Sequence, residues 1–194
     1  MVKEVKILAL AGSTREGSWN KKLAAAAAEA AREAGAEVTL IDLRDYPLPL
    51  YDGDLEKSQG LPDKAVALKA LFKAHDGLLI ASPEYNGGFS AVLKNVIDWV
   101  SRQHGEESGL LPYSGKVAGL LAASPGRLGG IRGLAMLRQI LSGLQVMVIP
   151  QQHALSQAHQ AFDEDGSLLD AAQQAAVAGI ATRVVDLAGR LKTD

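Results

Sequence analysis

Short apolar runs that alternate with longer segments of helical periodicity constrain this chain more than any other feature. The runs fall at about residues 5–11, 37–42, 77–82, 116–123 and 145–149. Several are apolar at consecutive positions, so both faces of the strand are buried, as in a parallel sheet covered by helices on each side. Helical patterns fall near residues 19–33, 63–74, 90–102, 131–141 and 169–191. In the last, Leu169, Ala172, Ala176, Ile180, Val184, Leu187 and Leu191 lie on one stripe. Five strands with intervening helices predict a doubly wound α/β domain. Residues 44–61, rich in turn formers, read as a long irregular crossover.

Length and composition narrow the function. The 194 residues suit one domain spanning residues 1–194. A net charge of −2 without a lysine or arginine block gives nucleic acid no electrostatic foothold. The chain has no cysteine, which removes disulfide, thiolate and sulfur-ligated metal chemistry. His75, His104, His153 and His159 show no metal-ligand spacing, so no metal is expected. The opening residues lead into a strand that breaks at Gly12, so neither a signal peptide nor a membrane span is expected. The expectation is a cytoplasmic protein.

Two turns carry the chemistry. Ala11-Gly-Ser-Thr-Arg-Glu-Gly-Ser-Trp-Asn20 follows the first strand. It is not GxGxxG, because Gly12 and Gly17 are five apart. It is nearly a P-loop, but Ser18 stands where the phosphate-gripping lysine belongs. What remains is rich in donors (Ser13, Thr14, Arg15, Ser18 and Asn20) beside a helix N-terminus, an arrangement suited to a terminal phosphate. For Ser18 alone, simple helix capping is the competing reading. The second turn, Ala81-Ser-Pro-Glu-Tyr-Asn-Gly-Gly-Phe-Ser90, ends the third strand with an aromatic and paired glycines. In open α/β sheets, ligands bind at this carboxyl edge.

These two turns, followed by Leu93-Lys-Asn-Val-Ile-Asp-Trp-Val-Ser-Arg102, resemble the NAD(P)H-dependent FMN reductase family, in particular its quinone and chromate reductase branch. The resemblance implies a flavodoxin-like fold with strand order 2-1-3-4-5. It implies FMN as cofactor and NADPH or NADH as co-substrate. The phosphate would be wrapped by Ser13, Arg15, Ser18 and Asn20, and the ring flanked by Pro83, Glu84, Tyr85, Asn86 and Gly87. A third segment, Ser124-Pro-Gly-Arg-Leu-Gly-Gly130, would close on the ribityl chain and ring through Ser124, Gly126, Arg127, Gly129 and Gly130. It also implies a small-molecule electron acceptor (quinone, flavin, azo compound or chromate), ping-pong turnover and a homo-oligomer, dimer or tetramer.

Individual residues leave choices open. No side chain is expected to act as a catalytic acid or base, since flavin reductases ask the protein chiefly for placement. Glu84 reads as a carboxylate bonded to backbone or a neighbouring subunit rather than a general acid. Tyr85 suits the ring or a subunit contact equally. Trp99 belongs to a core or interface stripe, and Asp98 and Arg102 are spaced to pair. Arg127 suits a nucleotide phosphate, an intersubunit carboxylate or open solvent, and His153 and His159 a surface beyond the last strand. The excess apolar surface of residues 90–102 suggests a partner subunit near the ring. A non-enzymatic electron carrier and a flavin-free regulatory protein are the rival readings.

Overall fold

The computed structural model describes residues 4–192, so residues 1–3 of the opening stretch lie outside the described residues. Its elements are β1 (Lys6–Ala11), α1 (Trp19–Glu33), β2 (Glu37–Ile41), α2 (Gly53–Gln59), α3 (Asp63–Ala74), β3 (Gly77–Ala81), β4 (Glu84–Tyr85), β5 (Gly88–Phe89), α4 (Ala91–Val100), β6 (Val117–Ala123), α5 (Ile131–Gly143), β7 (Met147–Leu155) and α6 (Ala171–Leu191). The main sheet is parallel throughout, in the order β2-β1-β3-β6-β7. With the small β4–β5 hairpin set aside, this is the expected 2-1-3-4-5 order of the flavodoxin-like fold.

Strand alternation sorts the core onto two faces. Ile7, Ala9, Leu79 and Leu121 face α1 and α6, whereas Leu8, Leu10, Leu78, Ile80 and Leu120 face α3, α4 and α5. Gly119 lets α6 lie close to the sheet, since a Cβ there would sit 2.7 Å from Ile180 Cγ2. Burial of these runs from water supplies the main driving force.

Four expectations need correction. The crossover is not wholly irregular: Asp52 caps α2 by accepting from the Asp54 and Leu55 amides. The last strand does not stop at Ile149 but runs to Leu155. Pro150 is tolerated because β7 is an edge strand with an irregularity opposite Ala118–Leu120. His153 therefore lies within the strand and is half-buried, while His159 is exposed as expected. Asp98 pairs with Lys94 at 2.7 Å, not with Arg102, whose Nε donates instead to the Asp98 backbone carbonyl at 3.0 Å.

The second apolar face of α4 has an occupant in its own chain. Trp99 is fully buried, its ring edge-on to Tyr51 at 5.1 Å and its Nε1–H donating to the Pro49 carbonyl at 2.8 Å. Asn95 ties the same stretch, donating to the Pro49 carbonyl and accepting from the Tyr51 amide, each at 2.8 Å. The crossover thus supplies the cover that sequence reasoning assigned to a partner subunit. Lys69, itself buried, donates to the Val100 and Arg102 carbonyls and so caps the far end of α4.

Candidate functional site

The first loop leaves the middle of the sheet, where β1 lies between β2 and β3. Gly12 starts it under close constraint. Its N–H donates to the Ala81 carbonyl at 2.8 Å, and its carbonyl accepts from Ser90 Oγ at 2.6 Å. A Cβ at position 12 would meet Ser90 Oγ at 2.9 Å and both Leu93 Cβ and Ser82 Oγ at 3.0 Å. Only glycine fits there without displacement.

Ser18 occupies the N-cap position of α1 with extended backbone, yet its side chain makes no capping hydrogen bond. Simple capping is therefore not its role in this structure. The residue as a whole is buried, and the first turn of α1 holds no acidic side chain to neutralise the free amides. Ser13 is also buried and accepts from the Arg15 amide at 3.3 Å. The Arg15 guanidinium is exposed and lies 5.9 Å from the centre of the Trp19 ring. Asn20 is different: its amide is bonded to the backbone of Ala123.

The second loop is a hairpin that sequence reasoning did not resolve. Glu84 pairs with Phe89 and Tyr85 with Gly88. Asn86 and Gly87 make the two-residue turn with φ of 53° and 82°, the left-handed values of a type I′ turn. The Asn-Gly signal was in the sequence, but each strand has only two residues and shows no readable period.

Glu84 turns its carboxylate to the start of α5. It accepts from the Arg132 amide at 3.0 Å, the Gly133 amide at 3.2 Å and Arg132 Nε at 2.7 Å. Burial opposes its charge, but the Arg132 side chain and the Gly133 amide outweigh burial and hold the carboxyl below its ordinary value. A carboxylate fixed in this way is ionised and serves as a tie, not as a proton donor. Gly133 permits the contact, since a Cβ there would press 3.3 Å from the Gly88 backbone. Tyr85 stands 55% exposed at the mouth.

The third loop follows β6. Ser124 Oγ accepts from the Gly126 amide at 3.1 Å. Gly129 and Gly130, with φ of 62° and 96°, carry the chain closely past β7 and into α5. Arg127 is exposed, and its guanidinium has no hydrogen-bond or ion-pair partner among the described residues.

Between the loops lies a cavity of about 390 Å³, within the range of small-molecule sites. Of the residues expected from sequence, it gathers Ser13, Arg15, Ser18, Asn20, Pro83, Glu84, Tyr85 and Ser124. Asn86 and Gly87 form the hairpin tip, and Gly126, Arg127, Gly129 and Gly130 shape the rim and its turn without lining the cavity. Trp19, Ala123 and Pro125 line it too. The position of Trp19, directly after Ser18, could have marked it from the sequence. No cluster of three potential metal ligands exists among the described residues.

Hydroxyl, guanidinium and helix amides thus gather at one end of the cavity, and a shaped hairpin and glycine-bearing loop at the other. Residues 5–160 match the family model described as NADPH-dependent FMN reductase. The chain belongs to this family. An NAD(P)H-dependent FMN reductase of Pseudomonas aeruginosa is 39% identical over 173 residues, 88% of each chain. A quinone reductase of Escherichia coli is 36% identical over 152 residues, 77% of this chain and 76% of its own. Among solved structures, a flavoenzyme NAD(P)H:(acceptor) oxidoreductase from Paracoccus denitrificans superposes with a TM-score of 0.80 at 27% identity. The match covers 96% of this FMN reductase family member and 98% of the Paracoccus chain.

Proposed function

We propose that residues 1–194 act as one flavodoxin-like domain, an FMN-dependent oxidoreductase that takes reducing equivalents from NADPH or NADH and delivers them to quinones. Membership of the FMN reductase family and relatives named for quinone reduction support the reading. One observation carries it in the structure: Ser18, at the mouth of α1, lines the cavity with its hydroxyl free of its own helix, and Arg15 lines the same cavity. A donor set of that kind suits the monoester phosphate of FMN.

When bound, FMN supplies the hydride acceptor and the two-electron carrier for the quinone. The residues do the placing. Ser13, Arg15 and Ser18, with the first amides of α1, would hold the phosphate. Pro83, Glu84 and Tyr85, with Asn86 and Gly87 at the turn, would set one wall of the ring site; Ser124, Gly126, Arg127, Gly129 and Gly130 would set the other. Amides of the glycine-bearing turns would be suited to stabilise negative charge on the ring without taking up a proton. Because Glu84 is committed to α5, no ionising acid is required of this wall.

The hairpin, the third loop and the beginning of α5 carry exposed Tyr85, Leu128, Ile131 and Met136. An oligomer of two or four copies that covers this rim is part of the reading, in place of the α4 face. Among the described residues no helix is long and apolar enough to cross a membrane. A cytoplasmic location accords with the use of nicotinamide nucleotides. Purified protein should bind FMN and lose its yellow absorption under anaerobic NADPH or NADH, regaining it on addition of benzoquinone. Failure to bind FMN at micromolar concentration would end the reading. Light scattering that reports a monomer would end the oligomeric part.

A further inference from the structure

Three side chains tie the three loops together in pairs. Ser90 joins the first loop to the hairpin by donating to the Gly12 carbonyl. Glu84 joins the hairpin to the start of α5, directly after the third loop, through Arg132 and Gly133. Asn20 joins the first loop to the third. Its Nδ2 donates to the Ala123 carbonyl at 2.9 Å, and its Oδ1 accepts from the Ala123 amide at 2.9 Å.

The position of Ala123 explains why a side-chain amide is needed. β3 and β6 run in parallel register from Gly77↔Val117 to Ala81↔Leu121, and the Ser82 amide still donates to the Leu121 carbonyl. A continuing ladder would next satisfy the Ala123 N–H and C=O from the β3 side. In that register the partners would be the Ser82 carbonyl and the Glu84 amide, but at Pro83 the chain turns off into the hairpin that begins at Glu84. The Asn20 amide, a donor and an acceptor in one plane, takes both places. It is only 3% exposed, so each of its two bonds shields backbone groups that have no water to replace it.

We infer that Asn20 is a positioning residue, setting the third loop against the phosphate loop through Ala123, and not a phosphate ligand. The inference rests on the FMN reading above. A phosphate ligand and a positioning tie differ in what they do to riboflavin, which has the ring but no phosphate. Loss of a phosphate ligand weakens FMN alone. Loss of a tie that shapes the ring wall weakens FMN and riboflavin together.

The experiment measures both affinities in wild-type protein, Asn20→Ala, Asn20→Ser and Ser18→Ala. Asn20→Ala and Asn20→Ser should weaken FMN and riboflavin by a similar factor, about 10-fold. The FMN-to-riboflavin ratio should stay within about threefold of wild type. Ser18→Ala should instead lower FMN and leave riboflavin unchanged. An FMN-selective loss in the Asn20 variants would overturn the inference.

Wild-type protein supplies a second arm that survives misfolding of a variant. The Ala123 amide should exchange slowly in flavin-free protein and remain slow with FMN. Exchange as fast as that of the neighbouring loop amides would overturn the tie. If wild-type protein binds neither flavin, the FMN reading fails, and Ala123 exchange still decides whether the tie exists.

Discussion

The first loop and the hairpin lie side by side on one sheet edge, but their polar groups are used in opposite ways. Between Ser13 and Ser18 the side chains form few bonds: Ser18 does not cap, and Arg15 rests over an indole ring. In the second loop the groups at the two ends, Glu84 and Ser90, are committed. Glu84 is tied to α5, Asn86 and Gly87 to a left-handed turn, and Ser90 to both Gly12 and the Leu93 amide. An end with free donors is built to gain partners on binding. An end with satisfied donors is built to keep a shape.

That contrast breaks most directly at Arg15. Arg15→Ala removes a charge-assisted contact worth about 1.5–3 kcal/mol, so FMN affinity should fall roughly 10- to 150-fold. Riboflavin affinity should not change, because the hairpin wall is untouched. Equal loss of both flavins in a titration would show that the first loop is also a shape element.

Gly87→Val tests the opposite end. No protein atom lies near a Cβ at this position, so crowding within the chain is not the obstacle. The obstacle is φ of 82°, which costs a β-branched residue about 1–2 kcal/mol or more. Binding of FMN and riboflavin should weaken together by roughly 5- to 30-fold. A selective FMN loss would place phosphate recognition in the hairpin.

Glu84→Gln keeps the volume and removes the charge. Stability should drop by about 1–2 kcal/mol in denaturant melts as the bonds to Arg132 and Gly133 weaken. At full FMN occupancy, hydride transfer should slow by less than about tenfold, or roughly 1.4 kcal/mol. A thousandfold loss would make Glu84 catalytic. The pH dependence has a definite sign. The folded carboxyl titrates below its unfolded value, so its stabilisation is present above the ordinary carboxylate range. It is lost as pH falls through the lower, folded value, and the variant should lack that acid-side loss.

The smallest effect concerns neither loop. His153 has a buried Nε2 without a partner, and burial lowers its pKa, only partly offset by Gln173. Its folded value lies below the unfolded one, so stability is complete above about pH 6.5 and declines as pH falls below it. His153→Gln should flatten the melting temperature between pH 7 and 5.5 by a degree or two at most, on the order expected for a fraction of a kcal/mol. An unchanged slope would mean that the imidazole gains a partner in solution.

The sheet was legible in the sequence because strands buried on both faces are apolar at every position, and α1 and α3 have clear boundaries. The missed parts lack that signal. α2 buries none of its residues, so no apolar period marks it, although Asp52 followed by Asp54 and Glu56 is a start signal. Past Pro150, β7 alternates too weakly to read as a strand. Eight of the expected site residues were brought to one cavity, since a loop between a buried strand and a helix must rise at that edge. The sequence could not show which of those polar groups face a ligand and which face the chain. Glu84 and Asn20 belong to the second group: a backbone-bonded Glu84 was among the readings of the sequence, but only tertiary geometry distinguishes Asn20 from Ser18.

The two tryptophans differ in a way that makes the protein its own optical gauge. Trp99 is sealed beneath Tyr51 and Pro49, so its emission has little reason to respond to the cavity. Trp19 lines the cavity beneath the Arg15 guanidinium. An anion that absorbs no light, such as inorganic phosphate, would draw the guanidinium off the indole. The resulting fluorescence difference would belong to Trp19 alone, reporting occupancy of one end of the cavity without any flavin colour.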